Sequence, residues 1–153
     1  MRKRSKYRPY RVDAGAGMHA IAMQHNMADD QLLDLGMAIH TSIERMRLGM
    51  GIEVDFHTLA AMVNVSLILC ERGVGNEFEQ VVKDAQDALI EILQRNRRTG
   101  KWAFSGSGLQ AINAAAQLHE QQIALVPRAA CRDAMIECRR RMQRGEVLNT
   151  VAA

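Results

Sequence analysis

The sequence is poor in aromatic residues, in proline and in cysteine. Only 4% of its 153 residues are Phe, Tyr or Trp, and there are two prolines and three cysteines. Few β-branched or aromatic runs alternate with period two, which disfavours a sheet protein. A hydrophobic fraction of 48% is nevertheless typical of a globular chain. We therefore predict an all-α fold with a core of Leu, Ile, Val, Ala and Met.

The motifs that would indicate a reaction, a metal or a cofactor are also missing. The three cysteines, Cys70, Cys131 and Cys138, form no CxxC pair, and their odd number argues against a disulfide framework. No histidine pair has the spacing of a zinc helix, and the Ser-Gly repeat at 105–108 lacks the Gly-Lys-Ser/Thr of a phosphate loop. We predict no catalytic residue, no metal site, no cofactor and no enzyme activity. A Cys–His pair joining two helices is the alternative left open.

The most apolar stretch runs from Asp55 to Gly73. Asp55 is suited to an N-cap and Gly73 to the position just after a helix. The stretch is too short to span a bilayer and is interrupted by His57, Asn64 and Ser66. Because it is apolar on nearly all sides, we predict that it is the buried central helix of a bundle. The basic N-terminus is not followed by an apolar signal region, so we expect a cytoplasmic location.

Amphipathic helices are predicted on both sides of this central helix. One spans 29–48, and we place Met37 and Met46 in its core face. Another spans 76–98 and begins with a capping box of Asn76 and Glu79. The apolar positions of these two helices are Leu32, Leu35, Ile39, Ile43, Met46, Phe78, Val81, Val82, Ala85, Leu89, Ile92 and Leu93.

The last third of the chain predicts one or two further helices. Lys101 to Gly108 is the longest irregular stretch within the body. After it, Pro127 either starts a fifth helix or kinks one long helix. The apolar positions here are Leu109, Ile112, Ala116, His119, Ile123, Val126, Cys131, Met135, Cys138 and Met142. Together these patterns predict one domain, a bundle of about five helices at 18–145, with an extended basic leader at 1–17 and a tail at 146–153. Residues 18–27 fit either a short helix or a mobile arm.

The leader carries the most uneven charge in the sequence. Residues 1–11 hold six cations and no acid, whereas the rest of the chain carries a net charge of −3. Such an arm is suited to phosphates, with a tyrosine stacked on a base, or to an acidic groove of a protein. A solubilising N-terminus is the alternative without a binding role. The candidate contact residues are Arg2, Lys3, Arg4, Lys6, Tyr7, Arg8 and Arg11.

A second candidate contact patch follows the 76–98 helix. Arg97, Arg98 and Lys101 precede Trp102, the single tryptophan, and Trp and Arg are enriched at interface hot spots. The alternative is structural: cations favour the end of a helix, and the tryptophan closes the end of the bundle. Elsewhere we interpret His119 and the thiols as core groups, and Asp84 and Asp87 as a solvated face.

Two segments of the sequence resemble a group of small phage and prophage proteins. These are Lys6-Tyr7-Arg8-Pro9, in a Lys/Arg-rich opening, and Gly75-Asn76-Glu77-Phe78-Glu79-Gln80-Val81-Val82, similar to a glycine-started, acid–aromatic helix of that group. The resemblance covers about a fifth of the chain. It implies a temperate-phage or prophage gene acting inside a bacterium, where proteins of this size often bind host or defence machinery, including CRISPR effector complexes, without catalysis.

The leading functional hypothesis is therefore a non-enzymatic, phage-encoded interaction protein that binds a bacterial protein or nucleoprotein complex. Counter-defence, such as inhibition of a CRISPR complex, is one form of this hypothesis. The alternative is a regulatory protein that binds nucleic acid through the leader. The acids Glu77, Glu79, Asp84 and Asp87 argue against the 76–98 helix as the DNA-contacting element. No membrane partner is expected, and a homo-oligomer through an exposed helical stripe is left open.

Overall fold

The computed structural model describes residue 19 and residues 22–146 of the chain. These residues contain one short 3₁₀ helix and five α-helices, and no strand. The helices are α1 (Asp29–Arg47), α2 (Glu53–Glu71), the 3₁₀ helix (Asn76–Phe78), α3 (Glu79–Thr99), α4 (Gly106–Leu125) and α5 (Arg128–Gln143). The predicted all-α helical bundle is confirmed. The predicted leader at 1–17 and all but residue 146 of the predicted tail lie outside the described residues.

Helix α2 is the centre of the bundle, as its composition predicted. It contacts each of the other four α-helices, and 12 of its 19 residues are buried. One side joins a cluster with α1, α3 and α4, represented by Phe56, Leu59 and Leu89. The other side, including Ile68 and Leu69, joins a second cluster with the end of α4 and with α5.

The start of α2 corrects the predicted role of Asp55. The helix begins at Glu53 with Ile52 at the N-cap, so Asp55 occupies the third helical position. Its carboxylate accepts hydrogen bonds from the Ile52 backbone N–H, at 2.9 Å, and from Nε of Arg45, at 3.1 Å. An acid at this position satisfies a free N–H of the first turn, and the arginine compensates its buried charge. Asp55 therefore ties the start of α2 to the end of α1.

The turn into α3 also differs from the prediction. Gly73 and Gly75 have φ values of 88° and 74°, in the left-handed region that favours glycine. The 3₁₀ helix precedes α3, and the predicted capping box of Asn76 and Glu79 does not form. Phe78, predicted as apolar face, is largely exposed because it lies in this turn. Helices α2 and α3 pack against each other, with Gln86 donating to Asn64 at 3.3 Å.

Pro127 starts a fifth helix and does not kink a longer one. It occupies the N-cap of α5 after α4 has ended at Leu125. The segment before α1 is attached at this junction. The Arg128 N–H donates to the carbonyl oxygen of His25, and the Asn26 side chain donates to that of Ala124. Residues 22–24 are helical, as one of the two interpretations of 18–27 required.

Two methionines that were predicted to face the core are exposed instead. Met37 and Met135 are both mostly exposed, whereas Met46 is fully buried as predicted. The predicted stripe of α1 is the face of Ile39 and Ile43, which joins the core cluster, and Met37 lies off that face.

By length and composition, α2 is also apolar enough to cross a membrane. Of the 18 most apolar consecutive residues of α2, 67% are buried inside the protein. The central helix of a bundle has the same composition, so this test is weak evidence for a membrane span.

Candidate functional site

The segment between α1 and α2 pairs with the segment between α3 and α4 at one end of the bundle. Gly51 and Trp102 form an isolated antiparallel backbone bridge. The approach leaves no room for a side chain, because a Cβ at Gly51 would lie 2.7 Å from the Trp102 carbonyl oxygen and 2.6 Å from Cγ of Met46. We call this region the connector end, and define it by Met50, Ile52, Val54, Arg97, Arg98 and Lys101.

The tryptophan of the predicted contact patch faces inward. Trp102 is half-buried, and its ring lies 4.9 Å from the ring of Phe56, centroid to centroid, at an interplanar angle of 33°. It packs against the main core cluster. Trp102 therefore closes the end of the bundle and fixes the segment that carries Lys101.

A network of polar contacts holds this segment on α3. Arg95 donates to the carbonyl oxygen of Ala103 at 3.2 Å and to the carboxylate of Glu91 at 2.9 Å. Ser105 donates to the other oxygen of Glu91 and caps α4 by accepting from the Gly108 N–H. The irregular stretch is thus shorter than predicted, because Gly106 to Gly108 already form the first turn of α4. These bonds attach residues 103–105 to α3, next to the Trp102 bridge.

Three apolar side chains of the connector end face outward. Met50, Ile52 and Val54 expose 48–66% of their surface. They were not among the predicted contact residues. Ile52 is the N-cap of α2 and Val54 its second residue, so both precede the first buried residues of that helix, Asp55 and Phe56.

Three cations lie on or just before the segment that the bridge joins to residue 51, and Glu53 is the exposed acid between Ile52 and Val54. Arg97 and Arg98 occupy the last turn of α3, which ends at Gly100 with φ of 70°. Lys101 precedes Trp102 and so lies beside the connector at the bridge. All three are exposed, and within the described part of the chain none forms an ion pair. Their positive charge is therefore available to a partner.

The other predicted contact residues belong to the leader. Arg2, Lys3, Arg4, Lys6, Tyr7, Arg8 and Arg11 lie outside the described residues. Their role in binding stays a prediction.

A buried polar cluster joins α2 to α4. His119 Nδ1 lies 2.9 Å from the Ser66 hydroxyl, and the Gln122 amide donates to the Val74 carbonyl oxygen at 2.8 Å and lies 3.2 Å from Sγ of Cys70. Burial lowers the pKa of His119 to about 4 and raises the pKa of the Cys70 thiol. Both groups are neutral near pH 7, so the cluster fixes helix register without supplying a charged nucleophile or base.

The two thiols of α5 also behave as core groups. Cys131 and Cys138 are buried in the second hydrophobic cluster, and burial raises the pKa of each thiol. The predicted interpretation of His119 and of these thiols as packing groups is confirmed by their burial.

A shallow acidic groove of about 470 Å³ runs between α3 and the start of α4. Asp84, Asp87 and Glu91 line it from α3, and Ser107 and Gln110 from α4. Asp84 and Asp87 are exposed, as predicted for a solvated face. Glu91 is occupied by Arg95 and Ser105. No group of three His, Cys, Asp or Glu side chains in the described chain is placed to hold a metal ion.

Comparison with protein-family models, with curated proteins and with solved structures finds no match to this chain. Within the described residues, the connector end is the surface that combines exposed apolar side chains with unpaired cations.

Proposed function

We propose that this is a non-enzymatic interaction protein whose connector end binds an acidic surface on another protein. One observation carries the proposal. Met50, Ile52 and Val54 are exposed before and at the start of α2, at the same end of the bundle as three cations that form no ion pair within the described residues. Exposed apolar groups contribute to affinity when a partner buries them, and adjacent cations select a partner of negative charge.

The contacts that hold the connector end favour a preformed binding surface over a mobile loop. The Gly51–Trp102 bridge and the Asp55 bonds hold the apolar side chains at fixed positions in the free protein. A preorganised surface loses less conformational entropy on binding than a mobile loop does. The partner is therefore expected to offer an apolar recess with Asp or Glu at its rim.

The connector end is poorly suited to a second copy of itself. Two copies meeting through this end would bring Arg97, Arg98 and Lys101 of both chains together, and like charges at an interface cost several kcal/mol in typical complexes. Nucleic acid is also a weaker fit to this end, because a phosphate backbone does not bury aliphatic side chains. A different, acidic protein is the partner that fits both the apolar and the cationic groups.

The sequence resemblance supplies the proposed setting. In that setting a phage or prophage protein in the bacterial cytoplasm binds a host or defence complex, and a CRISPR effector is one candidate. The basic leader then adds long-range electrostatic attraction to a partner that is acidic or contains nucleic acid. The alternative, a nucleic-acid-binding regulator, uses the leader alone and gives the connector end no role.

The test is capture from bacterial lysate with three immobilised proteins: the full chain, the variant Met50→Asp/Val54→Asp, and the chain without residues 1–11. Captured proteins are identified by mass spectrometry, purified and titrated individually against each bait. We expect a partner whose affinity falls at least about tenfold with the double substitution, since burial of two such side chains contributes about 1.5–3 kcal/mol each.

The matched control is Leu125→Asp/Met135→Asp, which adds the same charges at exposed apolar positions outside the connector end. This control is expected to retain the partner. Equal loss with both double variants would contradict the proposal. Recovery of nucleic acid alone, lost on removal of residues 1–11, would replace it with the nucleic-acid alternative.

A further inference from the structure

We draw no further inference here: the strongest candidate, the acidic groove that Asp84, Asp87 and Glu91 line between α3 and the start of α4, carries none, because Glu91 is already held by Arg95 and Ser105 and nothing in the structure shows what Asp84 and Asp87 would bind.

Discussion

The connector end and the outward face of α1 both expose aliphatic side chains, yet they differ in the charges around them. We call the exposed pair Leu33 and Met37 the α1 stripe. The three cations of the connector end form no ion pair within the described residues. On α1, by contrast, both arginines of the last turn are paired with carboxylates. Unpaired cations beside apolar side chains favour a partner of negative charge, whereas charges that are already paired give no such preference.

The two surfaces also differ in what holds them. The α1 stripe is displayed by a regular helix, so its geometry follows from backbone hydrogen bonds within α1. The connector end depends on tertiary contacts, above all the Gly51–Trp102 bridge and the Trp102–Phe56 packing. Perturbation of the core should therefore remove both surfaces, whereas a local perturbation at Gly51 should remove only one.

The largest expected effect is that of acid on both surfaces together. Burial holds the pKa of His119 at about 4, below its ordinary 6.5, so the unfolded chain binds a proton that the folded chain refuses. The contribution of His119 is complete above pH 6.5 and is lost as the pH falls toward 4. The loss amounts to about 3 kcal/mol at about 1.4 kcal/mol per pKa unit.

Urea denaturation between pH 7 and pH 4 measures this loss. The variant His119→Gln removes the titrating group, so the dependence of its unfolding free energy on pH should be flatter than that of the unaltered chain. Equal slopes in the two proteins would show that His119 does not carry the acid sensitivity.

The next effect separates the two surfaces. Gly51→Ala places a Cβ within 2.6–2.7 Å of Met46 and of the Trp102 carbonyl oxygen, and overpacking of this kind costs about 1–3 kcal/mol. We expect a lower urea midpoint, a red shift of Trp102 fluorescence and loss of the captured partner, with the helix content retained. The fluorescence reading is specific because the chain has one tryptophan.

Gly106→Ala is the control for this variant. A Cβ at Gly106 meets no atom within 4 Å, and alanine favours the helix that begins there. Its midpoint should be unchanged or slightly higher. Retention of the captured partner in Gly51→Ala would show that partner binding does not depend on the Gly51–Trp102 bridge.

The smallest expected effect concerns charge alone. The variant Arg97→Gln/Arg98→Gln/Lys101→Gln should lower the affinity for the purified partner about tenfold. The association rate should account for most of this loss, and exposed ion pairs contribute about 0.2–1 kcal/mol each. The helix content should not change. Surface plasmon resonance and circular dichroism measure the two properties.

The matched control for this prediction, Arg132→Gln/Arg139→Gln/Arg140→Gln, removes the same charge from the exposed side of α5. It should leave partner binding within about twofold. An equal loss of affinity in both triple variants would indicate a general charge effect, with no specific contribution from Arg97, Arg98 and Lys101.

The sequence was sufficient for the elements whose signal is local. Apolar residues at spacings of three and four predicted the buried face of α1, with Ile39 and Ile43. The continuous apolar run predicted α2 as the central helix. Burial of His119 was also predictable, because it stands at an apolar position of the helical pattern. A buried histidine needs a hydrogen-bond partner, and Ser66 supplies it here.

Other features depend on which face meets a neighbour. Periodicity placed Met37 and Met135 in the core, but α1 and α5 each contact α2 with one side, so both methionines are exposed. Trp102 matched the composition of an interface anchor and proved to be packed on Phe56. The start of α2 also differs from the prediction. Asp55 accepts hydrogen bonds from the Ile52 N–H and from Arg45, and the bond from Arg45 joins two helices.

The low aromatic content, the apolar run at 55–73 and the helical spacing of the flanking segments determined that this chain is an α-helical bundle around one central helix. Local hydrogen bonding and burial of apolar area act over a few residues, so the sequence contains that information directly. Only the tertiary structure decided that Met50, Ile52 and Val54 lie beside Lys101 and that Trp102 faces inward. Those placements depend on segments about 50 residues apart meeting at Gly51 and Trp102, where the absence of a side chain allows two backbones to touch.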